Sequence, residues 1–215
     1  MILEIMYSFQ TGVLPEGWVL HHNLGHHLNY LKGRKDESTW LRKNGTKMRE
    51  WEYTIKISLM SYVLIIRNIF KVNKKHGIRF LIGLILTSSV FYVFWKINPF
   101  NAVILFLIPA IGGLFGTVWF TYKHHAGLNT VIPEEASWNV LDPLYNKLTG
   151  NLGYHTAHHI SCGVHWSKLP ALHEKISPKI PEHLYREPGF PFNLFQFSYD
   201  KISEAKTMFS QRELL

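Results

Sequence analysis

Phe80-Leu-Ile-Gly-Leu-Ile-Leu-Thr-Ser-Ser-Val-Phe-Tyr-Val-Phe-Trp95 contains no charged side chain. Extended back to Gly77 across Arg79, it is long enough to cross a hydrocarbon layer, which takes about 20 apolar residues in a helix. A second uncharged run extends from Ile97 to Tyr122. Lys96 and Asn98-Pro99 separate the two, and proline cannot continue a helix through its interior. The pair therefore predicts a helical hairpin, with spans at about 78–96 and 101–121 and a turn near Lys96 to Asn101. Trp95 and Trp119 stand where interfacial aromatics belong. The expected fold is all-α: an integral membrane helical hairpin with a cytosolic helical cap, 15–75 and 123–215, in one domain over 1–215.

Charge sets the expected orientation. Lys71, Lys74, Lys75 and Arg79 precede the first span and Lys123 follows the second, while the loop between them has only Lys96. The positive-inside rule places both termini in the cytoplasm. The formal net charge is +8, and thirteen of the 23 Lys and Arg residues lie between Lys32 and Arg79. Beside membrane spans such a surface suits anionic lipid or an acidic protein rather than nucleic acid. No cleavable leader is expected, since Glu4 interrupts the apolar start and no basic segment precedes it.

Histidine clusters flank the hairpin. His21-His22-Asn23-Leu24-Gly25-His26-His27 precedes it, His124-His125 follows the second span directly, and His155-Thr156-Ala157-His158-His159 lies further on. A helix starting at Pro15-Glu16-Gly17 and stopping at Gly33 puts His22 and His26 on one face with His27 beside them. Gly25 on that helix leaves room for a close neighbour. His155, His158 and His159 share a face by the same spacing, and Asn151 joins them if the helix extends back over Gly153. Imidazoles at this density suit a polynuclear metal site. For His76, His165, His173 and His183 the expectation is ordinary hydrogen bonding. Cys162, the one cysteine, excludes an intrachain disulfide and is expected to be a small packed residue. Without cysteine pairs, thiolate zinc and iron–sulfur sites are out, and no Glu-x-x-His motif marks a carboxylate-bridged di-iron bundle. An all-imidazole set suits iron, copper or zinc.

At these residues the chain resembles the integral-membrane fatty acid desaturase and hydroxylase superfamily. His22-x-x-x-His26-His27 is similar to its second histidine box and His155-x-x-His158-His159 to its third. Pro15-Glu16-Gly17-Trp18, Asp36-Glu37-Ser38-Thr39 and Gly163 to Pro170 look like the neighbourhoods of those boxes. The resemblance implies two non-haem iron ions, with ligands at His22, His26, His27, His125, His155, His158 and His159. It implies supporting roles for Asn151, His21 and His124. His124 is the alternative to His125, and His21 the alternative to His22. The implied activity is oxygen-dependent desaturation of fatty acyl lipid chains, an oxidoreductase reaction. A hydroxylase acting on acyl, alkane or sterol-type substrates and a non-catalytic relative are the alternatives. Electrons would come from an external donor, a ferredoxin or a b-type cytochrome, because no dinucleotide-binding glycine motif is present. A homo- or hetero-oligomer is compatible with this reading. The family's first box, His-x(3,4)-His, has no counterpart in Met1 to Leu14, so the activity of this chain alone is left open.

Three further expectations concern packing. Thr54 to Phe70 is apolar with Lys56 and Arg67 towards its ends and reads as an interfacial or reentrant helix, with a third span as the alternative. Gly112 to Gly116 marks either close helix packing or, with Pro109, a kink. A short amphipathic helix is expected at Gln196 to Gln211.

Overall fold

The computed structural model describes residues 1–69 and 74–194. The expected helix at Gln196 to Gln211 and the last residue of the Thr54–Phe70 segment lie outside these. Helices dominate, and among the described residues there is no strand beyond isolated bridges. The chain divides into two compact units, Met1–Ile132 and Pro133–Leu215.

The first unit contains α1 (Ile2–Thr11), α2 (Val19–His27), α3 (Glu50–Ile69), α4 (Lys74–Ile97) and α5 (Pro99–His125). Helices α4 and α5 are long and apolar enough to cross a membrane. At 1.5 Å per residue they extend about 36 and 40 Å, against a hydrocarbon core of about 30 Å. Asn98 alone separates them. Its side chain accepts a hydrogen bond from the Asn101 N–H (3.0 Å), and Pro99 follows in the first turn, where its missing N–H costs nothing. Ile82, Ile85, Val93, Phe94, Leu105 and Ile108 point outward, as lipid-facing side chains do. His124 and His125 are the last turn of α5 itself. The chain widens to a π-turn at Val103–Leu107, just before Pro109, which has no N–H to give the carbonyl four residues back.

Close packing in the hairpin does not use the Gly-x-x-x-Gly pair. A Cβ on Gly112 or Gly116 would meet nothing within 4 Å. Gly113 is the tight position: its Cβ would fall 2.1 Å from the Gln10 carbonyl oxygen. Gly12, at φ +66°, is the reciprocal contact, its Cβ 2.1 Å from the Ala110 oxygen. Together they let α1 lie backbone-to-backbone on α5, the use small residues serve where lipid removes the hydrophobic drive. Leu20, Ile65, Ile69 and Phe80 form the core that joins α2, α3 and α4.

Helix α2 departs from its expected bounds. Residues 15–17 form a turn in which Glu16 takes a left-handed backbone (φ 63°). The buried Glu16 carboxylate is held by His76 Nδ1 (2.6 Å) and Arg79 Nε (2.5 Å) at the start of α4, which stabilises that unfavourable backbone. The helix begins at Val19 and ends at His27, well before Gly33.

The second unit carries α6 (Pro143–Thr149), α7 (His155–Ile160) and α8 (Leu169–Ile176). Fully buried Asn139 organises it, donating to Thr156 Oγ1 (2.9 Å) and accepting from the Thr156 N–H (3.1 Å). Cys162 sits exposed in the turn after α7, not packed as expected, because α7 ends at Ile160.

Gly113→Ala should lower thermal stability in detergent by about 1–3 kcal/mol, since the added methyl meets backbone rather than a flexible side chain. Gly112→Ala should leave the unfolding midpoint unchanged or raise it. Equal effects of the two would contradict the α1–α5 contact.

Candidate metal centre

The winding of α2 decides which of its imidazoles meet. The helix is π-wound: the Leu28 N–H bonds the Asn23 carbonyl five residues back (3.1 Å). Positions i and i+5 then align, and His22 Nε2 lies 3.0 Å from His27 Nε2. A regular α-helix would have paired His22 with His26 instead. The His22 ring is stacked under Trp18, with centroids 4.0 Å apart at 31°. Metal–imidazole bonds of about 2.1 Å at a right angle separate two ligand nitrogens by about 3.0 Å, so this pair has the spacing of neighbouring ligands on one ion.

His26 is fixed differently. It is 1% exposed, and its Nδ1 lies 2.8 Å from Asp36 Oδ1, which also accepts the Ser38 N–H (2.8 Å). A carboxylate on Nδ1 assigns the proton there and makes Nε2 the nitrogen a metal would take. Asp36 is buried, and desolvation, opposed by the Ser38 N–H, pushes its carboxyl up to about 7. The loop that brings Asp36 in rests on Gly25: a Cβ there would fall 2.2 Å from Glu37 Oε2. The Glu37 N–H bonds the Gly25 carbonyl (3.2 Å), and Glu37 Oε1 accepts from Arg67 (3.0 Å) and Asn68 (2.6 Å) on α3. Tyr53 on α3 donates to the Ser38 carbonyl (2.9 Å).

His125 comes to the same place from the end of α5. Its ring centroid is 5.0 Å from that of His26, and a ring nitrogen of each lies within 4.8 Å of the other. Tyr30 packs against both rings. The last turns of α5 are held by α3 and its approach: Lys123 and Trp119 bond Glu50, and the Tyr122 hydroxyl donates to the Met48 carbonyl (2.8 Å). His124 is buried in the same turn. His21 faces a small cavity beside His22. Burial holds it below the ordinary imidazole range, against the pull of Glu37 and Asp36, and its Nε2 has no hydrogen-bond partner among the described residues.

In the second unit His155, His158 and His159 cluster on α7, with ring centroids 4.8 to 5.6 Å apart. Burial lowers the His158 pKa, which favours the neutral form that ligates. Asn151 does not extend this face. It lies in a turn before the helix at φ 64°, and its amide donates to the Trp166 carbonyl (3.2 Å). Three of the histidines expected to make ordinary hydrogen bonds have partners: His76 pairs with Glu16, His165 Nδ1 lies 2.8 Å from Ser167 Oγ, and His173 Nε2 lies 3.3 Å from the Tyr185 hydroxyl; His183 is exposed.

The fatty acid desaturase profile matches residues 1–189. The chain belongs to the fatty acid desaturase family. No curated protein and no solved structure matches it. Fatty acid desaturase-family proteins are membrane-bound oxidoreductases of the desaturase and hydroxylase type, typically binding iron, and this chain's two long apolar helices agree with that setting. The donor set also fits iron: imidazoles at ligand spacing, one of them oriented by a buried acid. Sequence reasoning missed the Asp36 role and the Glu16 anchor. Their signal was the acidic residue in Asp36-Glu37-Ser38-Thr39 and in Pro15-Glu16-Gly17, with nothing local to say which histidine each would meet.

Asp36→Asn should weaken iron binding about 10- to 100-fold, the usual cost of losing the group that orients a ligating imidazole. Metal titration of purified protein checks this, and unchanged affinity would remove Asp36 from the site.

Proposed function

We propose that the chain is a membrane-bound, dioxygen-dependent di-iron desaturase of fatty acyl lipid chains. The observation that carries this is the convergence of His22, His26, His27 and His125 from two separate elements, with His26 anchored by Asp36. In this reading His155, His158 and His159 supply the remaining ligands, and His21 and His124 pack beside the set. Iron held there would activate dioxygen, the oxidant that takes two hydrogens from the acyl chain and two electrons from an external donor and leaves as water.

The rest of the work falls to the protein. Asp36 holds the His26 imidazole in the tautomer that ligates. Trp18 and Tyr30 cover the rings and limit water at the centre. The hairpin keeps an apolar substrate beside the imidazoles without its leaving the lipid phase. Exposed Lys32, Lys35 and Lys43 give the loop after α2 a positive surface suited to an acidic electron donor such as a ferredoxin or a b-type cytochrome. Both termini lie in the cytoplasm on this reading, as the Lys and Arg distribution favours.

Purified wild type should contain iron, and His158→Ala combined with His159→Ala should lose about half of it or more. His183→Ala should retain it. Equal iron in all three would refute the ligand assignment. Mass spectrometry of acyl chains from a host expressing the protein decides the activity of this chain alone: added double bonds make it a desaturase, and an alcohol product assigns it to the hydroxylase branch.

A further inference from the structure

Two cavities in the first unit meet at one tyrosine. The larger, about 380 Å³, opens among α1, α4 and α5 and is walled by Phe9, Phe91, Phe106 and Leu107. Its size falls in the range of small-molecule sites, about 300–1,000 Å³. It lies between helices whose outer faces suit lipid, so an acyl chain is the occupant its apolar lining fits. The smaller cavity, about 40 Å³, is bounded by Trp18, His21, His22 and Thr121. With Tyr62 on Gly12 it has room for a few water molecules and not for a run of methylenes.

Gly12, Tyr62 and Leu114 line both. The Tyr62 hydroxyl donates to the Gly12 carbonyl. That carbonyl is fixed in place, because Gly12 closes α1 in a left-handed conformation and its Cα is pressed on Ala110 and Leu114 of α5. One wall of the neck is therefore backbone that cannot retreat. The other is a phenol that can turn about its side-chain torsions once its hydrogen bond breaks. Leu114 fills the space opposite.

We propose that Tyr62 is a positioning residue that closes the passage between the lipid-side cavity and the histidine-lined cavity. An acyl chain lodged in the larger cavity reaches the imidazoles when the phenol leaves Gly12, and Tyr62 with Leu114 sets how far it penetrates. This rests on the reading of the histidine cluster as a centre that oxidises acyl chains.

The test uses the full chain in phosphatidylcholine nanodiscs with palmitic acid carrying a diazirine at its methyl end. After irradiation the labelled residues are mapped by mass spectrometry. Wild type should be labelled chiefly at Phe91 and Phe106 and only weakly at Trp18 and Thr121. Tyr62→Ala should add label at Trp18 and Thr121. Tyr62→Phe keeps the ring and removes only the donor. It should raise label at those two positions about tenfold, the population shift expected when a hydrogen bond of ordinary strength is lost. Identical maps for wild type and Tyr62→Phe would overturn the proposal. So would label at Trp18 in wild type as strong as at Phe91, or no label in the larger cavity. Should Tyr62→Ala fail to fold, the Tyr62→Phe comparison decides alone. Photolabelling needs neither iron nor turnover. Shifted label in a protein that binds no iron would sink the desaturase reading alone, and intact iron binding with unshifted label would sink the gate alone.

Discussion

Glu37 packs on Gly25 with no room for even a methyl group, and the centre in the first unit depends on that contact. It seats the 36–38 loop across the π-wound helix. From that seat Asp36 reaches His26, and Arg67, Asn68 and Tyr53 tie the same loop to α3. The arrangement is over-determined: one loop of three residues is held by a helix backbone, an ion pair to the half-exposed Arg67 and two hydrogen bonds from a second helix. A metal-ligating ring needs that rigidity, because an imidazole that wanders by an ångström loses its place in the coordination shell.

The same logic runs through the elements that carry the other rings. Glu16 accepts a left-handed backbone because His76 and Arg79 clamp its carboxylate, and this fixes where α2 begins. The end of α5 is fixed by Glu50 and Met48 rather than by its own helical bonds alone. Both devices sit outside the long apolar stretches, where polar groups can be satisfied. The hairpin supplies a stiff frame, and the polar clamps at its ends set the position of the rings.

What could be read from the sequence follows from which constraints are local. Hydrocarbon thickness dictates helix length, so Phe80 to Trp95 and Ile97 to Tyr122 announced the hairpin, and Asn98-Pro99 its turn. Helical spacing announced the imidazole clusters. The π-winding was not legible, because it exchanges an i+4 partner for an i+5 partner without changing composition. Asp36 was not legible as His26's partner, since nine residues lie between them and tertiary contacts to Gly25 and α3 bring them together. The Gly-x-x-x-Gly pattern pointed one residue away from the glycine that packs: Gly113 meets α1, and which face α1 covers is a tertiary fact. Asn151 fell off the histidine face because the helix starts at His155, its first turn set by Asn139 on Thr156 rather than by propensity.

The charge balance of the site argues for a cation. In the first unit burial drives His21 toward the neutral form and drives the Asp36 carboxyl up to about 7. Each group is pushed towards its uncharged state, the response of a polar cluster withdrawn from water. A purely structural cluster would gain more from apolar side chains of the same volume, which carry no desolvation cost. An uncharged His21 beside imidazoles, one of them backed by an acid, leaves a pocket rich in lone pairs. A divalent ion supplies what that pocket lacks. It draws on the imidazole lone pairs directly and favours the ionised form of Asp36 through His26.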